Sequence, residues 1–182
     1  MRRLVFVLLF ACATFGPAAA DQTLTVDVKA SRATFTVTHV LIEKVNGNVP
    51  IVSADVMVGP DGATPSAVDA TLDPARIDTG DSDRDGDLIG SDWFDTGKFP
   101  LWTFNSTHVT PNAGGTFTIA GVLTIHGVGV PVVLTASVVH GGGHPAYHAV
   151  TTVDRHAFGM HVTRTDALVG NEVSIGLDIQ TK

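Results

Sequence analysis

Five aspartates with a spacing typical of calcium ligands lie within twelve residues of this 182-residue chain. In "DSDRDGDLIGSD", residues 81–92, acidic side chains occupy the first, third and fifth positions, glycine the sixth and aspartate the twelfth. Ca²⁺ prefers oxygen ligands, and this order resembles an EF-hand loop. The last position is not the usual glutamate, however, and the preceding "LDPARIDTG" cannot form an entering helix. The alternative is a solvated acidic turn whose last carboxylate caps the helix behind it. The candidate ligands of a structural calcium ion are Asp81, Asp83, Asp85, Asp87 and Asp92.

Histidines form a second candidate metal set. His140, His144 and His148 are evenly spaced in "HGGGHPAYH", and a hairpin turn there could bring His140 and His148 together. Zn²⁺ accepts imidazole ligands, but this spacing matches no familiar zinc signature. His156 and His161, five residues apart, are predicted to lie on opposite faces of a strand. We therefore expect no histidine-bound metal.

The residue patterns of common enzymes are missing from the sequence. It contains no G-x-S-x-G elbow, phosphate loop or dinucleotide-binding glycine pattern. The carboxylate pair Asp92 and Asp95 has the character of a surface pair, and Cys12 is the only cysteine. We expect a protein that is not an enzyme and that has no cofactor.

The aromatic residues favour binding of an apolar molecule. Five of them crowd into residues 84–104 of a chain that is otherwise poor in aromatics. We predict an apolar pocket in which a lid contributes Trp93 and Phe94. Core packing is the competing interpretation, and His39 could instead be an interior histidine with a hydrogen-bond partner. The predicted pocket residues are Phe35, Val37, His39, Trp93, Phe94, Phe99, Trp102, Phe104 and Phe158.

The elements that must position these residues are strands. In "ATFTVTH", residues 33–39, apolar and threonine side chains alternate with the period of two that indicates a half-buried strand. About eight such segments, separated by turn signals, predict an all-β sandwich or barrel, with a short helix or helical lid near residues 82–98. Small residues at inward positions favour a barrel with room for one slender ligand. These residues are Ala33, Ala54, Ala70, Ala136 and Ala149.

The ends and the charge of the chain predict its location. Residues 1–20 combine Arg2 and Arg3, a short apolar run and "AAA" before Asp21, which is the pattern of a cleaved signal peptide. A lipoprotein anchored through Cys12 is the alternative. Cleavage would leave one domain, residues 21–182, in the periplasm or secreted. Loss of two arginines would change the formal net charge from −7 to −9, and such a surface repels nucleic acid.

An ordered set of motifs resembles the YceI family of exported, lipocalin-like proteins that bind polyisoprenoids. The set consists of "FTVTHV", "VNG", "RDGDLIGSDWFDTGKFPLWTFNST", "GVLTIHGVGVPVVL", "DRHAFGM" and "VGNEVSIGLDI". The resemblance implies an eight-stranded antiparallel barrel with an elongated apolar pocket, and a segment near residues 82–98 at its mouth. The family often has histidine and arginine where this chain has Asp87 and Ile89, so a cation that contacts the lipid head group would be lost there.

The resemblance thus implies a non-catalytic carrier of an isoprenoid quinone or a polyprenyl lipid. The expected partners are this lipid and, transiently, the membrane or a membrane redox protein. The oligomeric state stays open, with a homodimer among the options. The alternative is an exported structural barrel without lipid cargo, stabilised by calcium at residues 81–92.

Overall fold

The chain folds into an antiparallel all-β structure with one short α-helix. The computed structural model describes residues 21–40, 42–139, 143–161 and 166–182. In these ranges no helix is both long enough and apolar enough to cross a membrane. The predicted leader, residues 1–20, lies outside the described residues. The elements are β1 Gln22–Thr25, β2 Arg32–His39, β3 Glu43–Asn48, β4 Ile51–Val58, β5 Pro65–Leu72, α1 Ser82–Ile89, β6 Trp102–Pro111, β7 Thr116–Ile125, β8 Val128–Val139, β9 Ala146–Asp154 and β10 Val169–Gln180.

All ten strands belong to one curled sheet with the order β1-β4-β5-β6-β7-β8-β9-β10-β2-β3. The sheet closes by contact of the residues after β1 with the end of β10, because Val26 bridges to Thr181 and the Asp27 N–H donates to the Gln180 carbonyl at 2.8 Å. Strands β1 and β2 thus follow each other along β10, and β3 continues into β4 through Val49 and Pro50. The sheet has ten strands rather than the predicted eight because two of the eight are each interrupted once. The predicted antiparallel barrel is confirmed.

Strand β7 shows how the sequence pattern produces the inner face. Its side chains alternate between half-buried and buried along the whole strand, and Phe117, Ile119, Leu123 and Ile125 point inward. Gly121 continues this inward row without a side chain, because a Cβ there would lie 2.5 Å from the Phe104 ring. The missing side chain lets a large aromatic ring from the neighbouring strand occupy that space.

The acidic segment forms helix α1. The Asp81 carboxylate accepts hydrogen bonds from the N–H groups of Asp83 and Arg84, both at 3.1 Å, and so caps the helix. The predicted short helix near residues 82–98 is thus present. The alternative of an acidic turn whose last carboxylate, Asp92, caps a following helix is wrong, because the first carboxylate, in extended backbone, supplies the cap.

Alternate connections emerge at the same end of an antiparallel barrel because successive strands reverse direction. One end carries the described residues 40, 42, 73–101, 126–127, 155–161 and 166–168, and we call it the mouth end. Helix α1 lies in the second of these connections. His140, one of the candidate metal ligands, lies outside the described residues.

Candidate ligand-binding cavity

The barrel is hollow. A cavity of about 350 Å³ runs inside the sheet and is lined by inward side chains from every strand except β1 and by the α1 connection. Its lining is mainly valine, leucine, isoleucine and phenylalanine. All five small residues that were expected to leave room inside the barrel line it: Ala33, Ala54, Ala70, Ala136 and Ala149. A small apolar pocket of this size range is typical of ligand sites in proteins.

Eight of the nine predicted pocket residues lie along this cavity. Strand β2 contributes three of them, the α1 connection two, β6 two and the 3-10 helix Arg155–Phe158 one. Phe158 is fully buried. Their contact with a ligand stays a prediction. The eight residues are Phe35, Val37, His39, Trp93, Phe94, Trp102, Phe104 and Phe158.

Phe99, the ninth residue, does not belong to the lining. Its ring packs edge-on against His126 at 4.7 Å between centroids and covers Gly127 so closely that a Cβ there would collide with it. Both turn residues have positive φ, as a two-residue hairpin turn requires. Phe99 therefore attaches the end of the α1 connection to the β7–β8 turn, a long-range contact that the local pattern does not encode.

The two predicted lid aromatics, Trp93 and Phe94, occupy different environments. Phe94 is only 7% exposed and packs edge-to-face on Trp102, with 4.7 Å between ring centroids. Trp93 is half-buried, and the guanidinium carbon of Arg155 lies 5.7 Å from its ring centre. Phe94 is thus a core residue as well as a lining residue, whereas Trp93 lies between the cavity and the surface.

Arg155 organises the mouth end and was not singled out from the sequence. It is 2% exposed and donates to the carbonyls of Met160 (2.7 Å), Val169 (2.9 Å) and Gly170 (3.1 Å), and to the Asp166 carboxylate (2.7 Å). A buried guanidinium with this many acceptors joins the β9–β10 connection to the barrel. The motif "DRHAFGM", which contains Arg155, is the feature of the sequence that could have identified this residue.

The Asp166 carboxylate is the negatively charged partner of Arg155. His156 Nε2 lies 3.0 Å from its carboxylate oxygen. The hydrogen bond with His156, followed by that from Arg155, lowers the pKa of Asp166 from 3.8 to about 2. The carboxylate therefore remains charged well into acid and holds both partners in place.

His39 lies at the mouth rather than in the interior. Its side chain is 38% exposed, and its Nδ1 lies 3.7 Å from Glu43, the residue opposite it on β3. The expectation of an interior, hydrogen-bonded histidine was wrong, because His39 is the last residue of β2, where the barrel opens.

The mouth retains a cation. Arg84, Asp87 and Leu88 all line the cavity, and their i, i+3, i+4 spacing places them on one face of α1. Arg84 Nε donates to Thr79 Oγ1 at 2.9 Å, and Nη2 donates to the Thr79 carbonyl at 3.0 Å. The sequence predicts loss of a head-group cation at positions 87 and 89, where Asp87 and Ile89 replace the family's histidine and arginine. Arg84 supplies one from the preceding turn of the same helix.

The predicted metal sites find no support in this geometry. The calcium interpretation required an irregular loop, but α1 occupies it, and the Asp85 carboxylate accepts from the N–H and hydroxyl of Thr79 at 3.0 and 2.6 Å. His156 and His161 stack at 4.4 Å rather than lying on opposite faces. His148 pairs with Asp178 at 2.8 Å. The described part of the chain contains no cluster of three side chains suited to hold a metal.

Comparison with known proteins identifies a family and several sequence relatives. A family model described as a YceI-like domain matches residues 24–181. A UPF0312 protein of Vibrio campbellii is 32% identical over 133 residues, 72% of this chain and 69% of that protein. A UPF0312 protein of Shewanella oneidensis is 32% identical over 150 residues, 80% of this chain and 78% of that protein.

Solved structures are similar over most of the chain. Burkholderia cenocepacia BcnA superposes with a TM-score of 0.76 at 26% identity, covering 85% of this chain and 98% of that one. A polyisoprenoid binding domain from Saccharophagus degradans has a TM-score of 0.65 at 13% identity, covering 86% and 95%, which shows a shared fold. The matched family, the two sequence relatives and the barrel architecture agree, and the chain belongs to the YceI-like domain family.

Proposed function

We propose that this protein binds a polyisoprenoid lipid, an isoprenoid quinone or a polyprenyl lipid, inside its barrel, and that it carries or stores the lipid without converting it. The observation that carries the proposal is the apolar cavity of about 350 Å³, whose charged lining residues Arg84, Asp87 and Arg155 lie at the mouth end. Such a cavity suits an amphiphile with a long apolar tail and one polar head. Membership in the YceI-like family and the fold shared with a polyisoprenoid binding domain support it.

Burial of the tail is strong enough for binding and weak enough for release. Each buried CH₂ contributes about 0.8 kcal/mol, so one isoprene unit contributes about 3 to 4 kcal/mol before costs. A micromolar dissociation constant requires only about 8 kcal/mol, of which ordering the tail consumes part. A bilayer also shields the tail from water, so the free energy gained by burying the tail in the protein nearly equals the free energy lost when it leaves the membrane. This balance fits a carrier or store.

The site of action in this proposal is the periplasm or the exterior. The basic start, short apolar run and small-residue end of residues 1–20 support export with cleavage before Asp21. A carrier in that compartment would meet its cargo at a membrane surface.

Transient contact of the mouth end with a membrane would let the tail pass between the bilayer and the cavity. Val40, Ile42 and Leu168 are 48%, 89% and 46% exposed, and they adjoin His39 and Val169, which line the cavity. We expect Ile42→Ser to slow uptake of lipid from vesicles of phosphatidylethanolamine and phosphatidylcholine. Val52→Ser, on the outer face of β4, is the control. Equal uptake rates for the two variants would contradict a role of the mouth end.

The test of the proposed function is identification of the bound lipid. Protein expressed from the full-length chain in its host and purified without detergent is measured by native mass spectrometry. The bound lipid is then extracted and identified by fragmentation mass spectrometry. We expect a retained mass in the range of an isoprenoid quinone or polyprenyl lipid. Protein that is lipid-free and that also fails to take up either lipid in vitro would overturn the proposal.

A cavity-filling variant ties binding to the interior. Ala136 points inward and lines the cavity, so Ala136→Phe occupies part of its volume. Val133, on the same strand, is 56% exposed on the outer surface, and Val133→Phe is the matched control. We expect at least tenfold weaker lipid binding for the first variant and less than twofold for the second. Unchanged binding by a folded Ala136→Phe protein would place the lipid outside the barrel.

A further inference from the structure

Charged side chains lie at the mouth of the cavity, where the proposed function would place the lipid head group, and the inference drawn from them rests on that function. Helix α1 presents Arg84 and Asp87 together at the point where the cavity opens. A lipid tail inside the barrel would leave its head group beside this face. The charge and hydrogen-bonding capacity of the two side chains therefore decide which heads fit.

Arg84 is held by neighbours that precede it in the chain, one of which is a carboxylate. Two of its nitrogens donate to Thr79, and its Nη1 lies 3.9 Å from an Asp81 carboxylate oxygen. The backbone hydrogen bond from Arg84 is the main cause that lowers the pKa of Asp81, so that carboxylate is charged at neutral pH. The guanidinium keeps N–H groups that can donate to a ligand oxygen, and the neighbouring Asp81 carboxylate offsets part of its positive charge.

Asp87, in contrast, is uncompensated. No donor to its carboxylate and no ion pair with it occurs in the described residues, and it is exposed at the mouth. The other cation of the lining, Arg155, is buried and paired with Asp166, while His39 faces Glu43. In the described residues of the mouth end, nine aspartates stand against three arginines and one lysine, in a chain of formal net charge −7.

We propose that Asp87 is a specificity-determining residue that makes the cavity accept isoprenoids with an uncharged, oxygen-bearing ring head, as in quinones and quinols, and reject those with a phosphate head. A phosphate monoester carries about −1.5 to −2 charges at neutral pH and would be repelled within a Debye length of about 8 Å. A quinone carbonyl can accept from Arg84, and a quinol hydroxyl can donate to Asp87.

The experiment compares two ligands with the same tail. The mature chain is stripped of lipid, and the dissociation constants of a ubiquinone with a four-unit tail and of geranylgeranyl phosphate are measured by titration calorimetry. We expect the wild-type protein to prefer the quinone by about tenfold or more, equivalent to about 1.4 kcal/mol. In Asp87→Asn, binding of the phosphate should strengthen about fivefold while binding of the quinone changes less than twofold.

Asp83→Asn is the matched control. Asp83 lies on the same helix and undergoes the same charge change, but its side chain does not line the cavity. We expect its effect on phosphate binding to stay below twofold. The effect of Asp87→Asn should fade in about 1 M salt, where the Debye length is about 3 Å, whereas a steric or folding effect would persist. Circular dichroism confirms that both variants are folded.

The possible results separate the role of Asp87 from the proposed function of lipid binding. Equal wild-type affinities for the two lipids, or equal effects of Asp83→Asn and Asp87→Asn, would overturn the role of Asp87 and leave lipid binding intact. Binding of neither lipid would overturn the proposed function itself. A preference for the quinone that only Asp87→Asn reduces, in a salt-dependent manner, supports the inference.

Discussion

Trp93 and Phe94 show that adjacent residues of the same chemical type can have separate roles. Phe94 closes the core against Trp102, whereas the Trp93 ring remains half-buried beside Arg155. The difference arises because consecutive side chains point in different directions once the backbone is placed.

Alanine substitution of each aromatic separates these roles. We expect Phe94→Ala to lower the free energy of unfolding by about 3 to 5 kcal/mol, because it empties a packed site. Trp93→Ala should cost much less stability and weaken lipid binding severalfold, because Trp93 lines the cavity near the mouth. Urea denaturation of lipid-free protein and lipid titration measure the two effects. Equal losses of stability would show that Trp93 is a core residue.

The Asp166 carboxylate makes part of the stability depend on pH. Its pKa is lowered to about 2 from 3.8, so its contribution is fully present above the higher value and is lost as pH falls toward the lower one. We expect the difference in unfolding free energy between wild type and Asp166→Asn to shrink as pH falls from about 4 to 2. Urea denaturation at each pH measures it. A difference that stays constant down to pH 2 would contradict the assignment.

At the scale of elements, two glycines with different surroundings test how α1 and β7 are built. Gly86 lies in the exposed interior of α1, where an added Cβ meets no atom within 4 Å. Gly121 lies in β7, where the same Cβ would meet the Phe104 ring.

The same substitution should therefore have opposite effects at the two positions. Gly86→Ala should raise the free energy of unfolding by about 0.4 to 1 kcal/mol, because alanine favours the helix and restricts the unfolded chain. Gly121→Ala should lower it by about 1 to 3 kcal/mol, because the Phe104 ring must move. Thermal and urea unfolding of each variant check these values. A destabilising Gly86→Ala would contradict the helical structure of the acidic segment.

Interruption of two strands is the feature of the elements that periodicity did not reveal. Residues 27–31 separate β1 from β2, and the bend at Val49 and Pro50 separates β3 from β4. Proline lacks the N–H of a sheet ladder, which explains the break at the second place. In the first, Ser31 Oγ donates to the Asp27 carbonyl at 2.8 Å and stabilises a local turn.

At the scale of the whole molecule, the proposal requires processing of the chain. We expect the protein recovered from the exported fraction to have the mass of residues 21–182 and Asp21 as its first residue, because small residues at 18–20 precede that position. Intact mass spectrometry and N-terminal sequencing measure this. A mature chain that starts at Cys12 with added acyl mass would instead establish a lipoprotein.

Sequence alone determined the architecture and most of the cavity lining. The period-two alternation is a local property, so it identified the strands and the inward residues, including the small ones such as Ala136 and Ala149 that leave the barrel hollow. Inward direction along a strand requires no knowledge of its partner, because side chains alternate faces. The ordered motifs supplied the family and thereby the barrel.

Tertiary structure decided everything that depends on contacts between distant segments. It placed Phe99 on the β7–β8 turn, buried Arg155 among the carbonyls of the β9–β10 connection, and brought Arg84 and Asp87 to the mouth together. Helical spacing accounts for Arg84 and Asp87 sharing one face of α1, but where that face lies depends on the fold. The connections that hold Phe99 and Arg155 follow no fixed repeat. The cavity could be predicted from the alternation of side chains along each strand. The positions of the charged residues at the mouth end depend on the tertiary contacts of the connections.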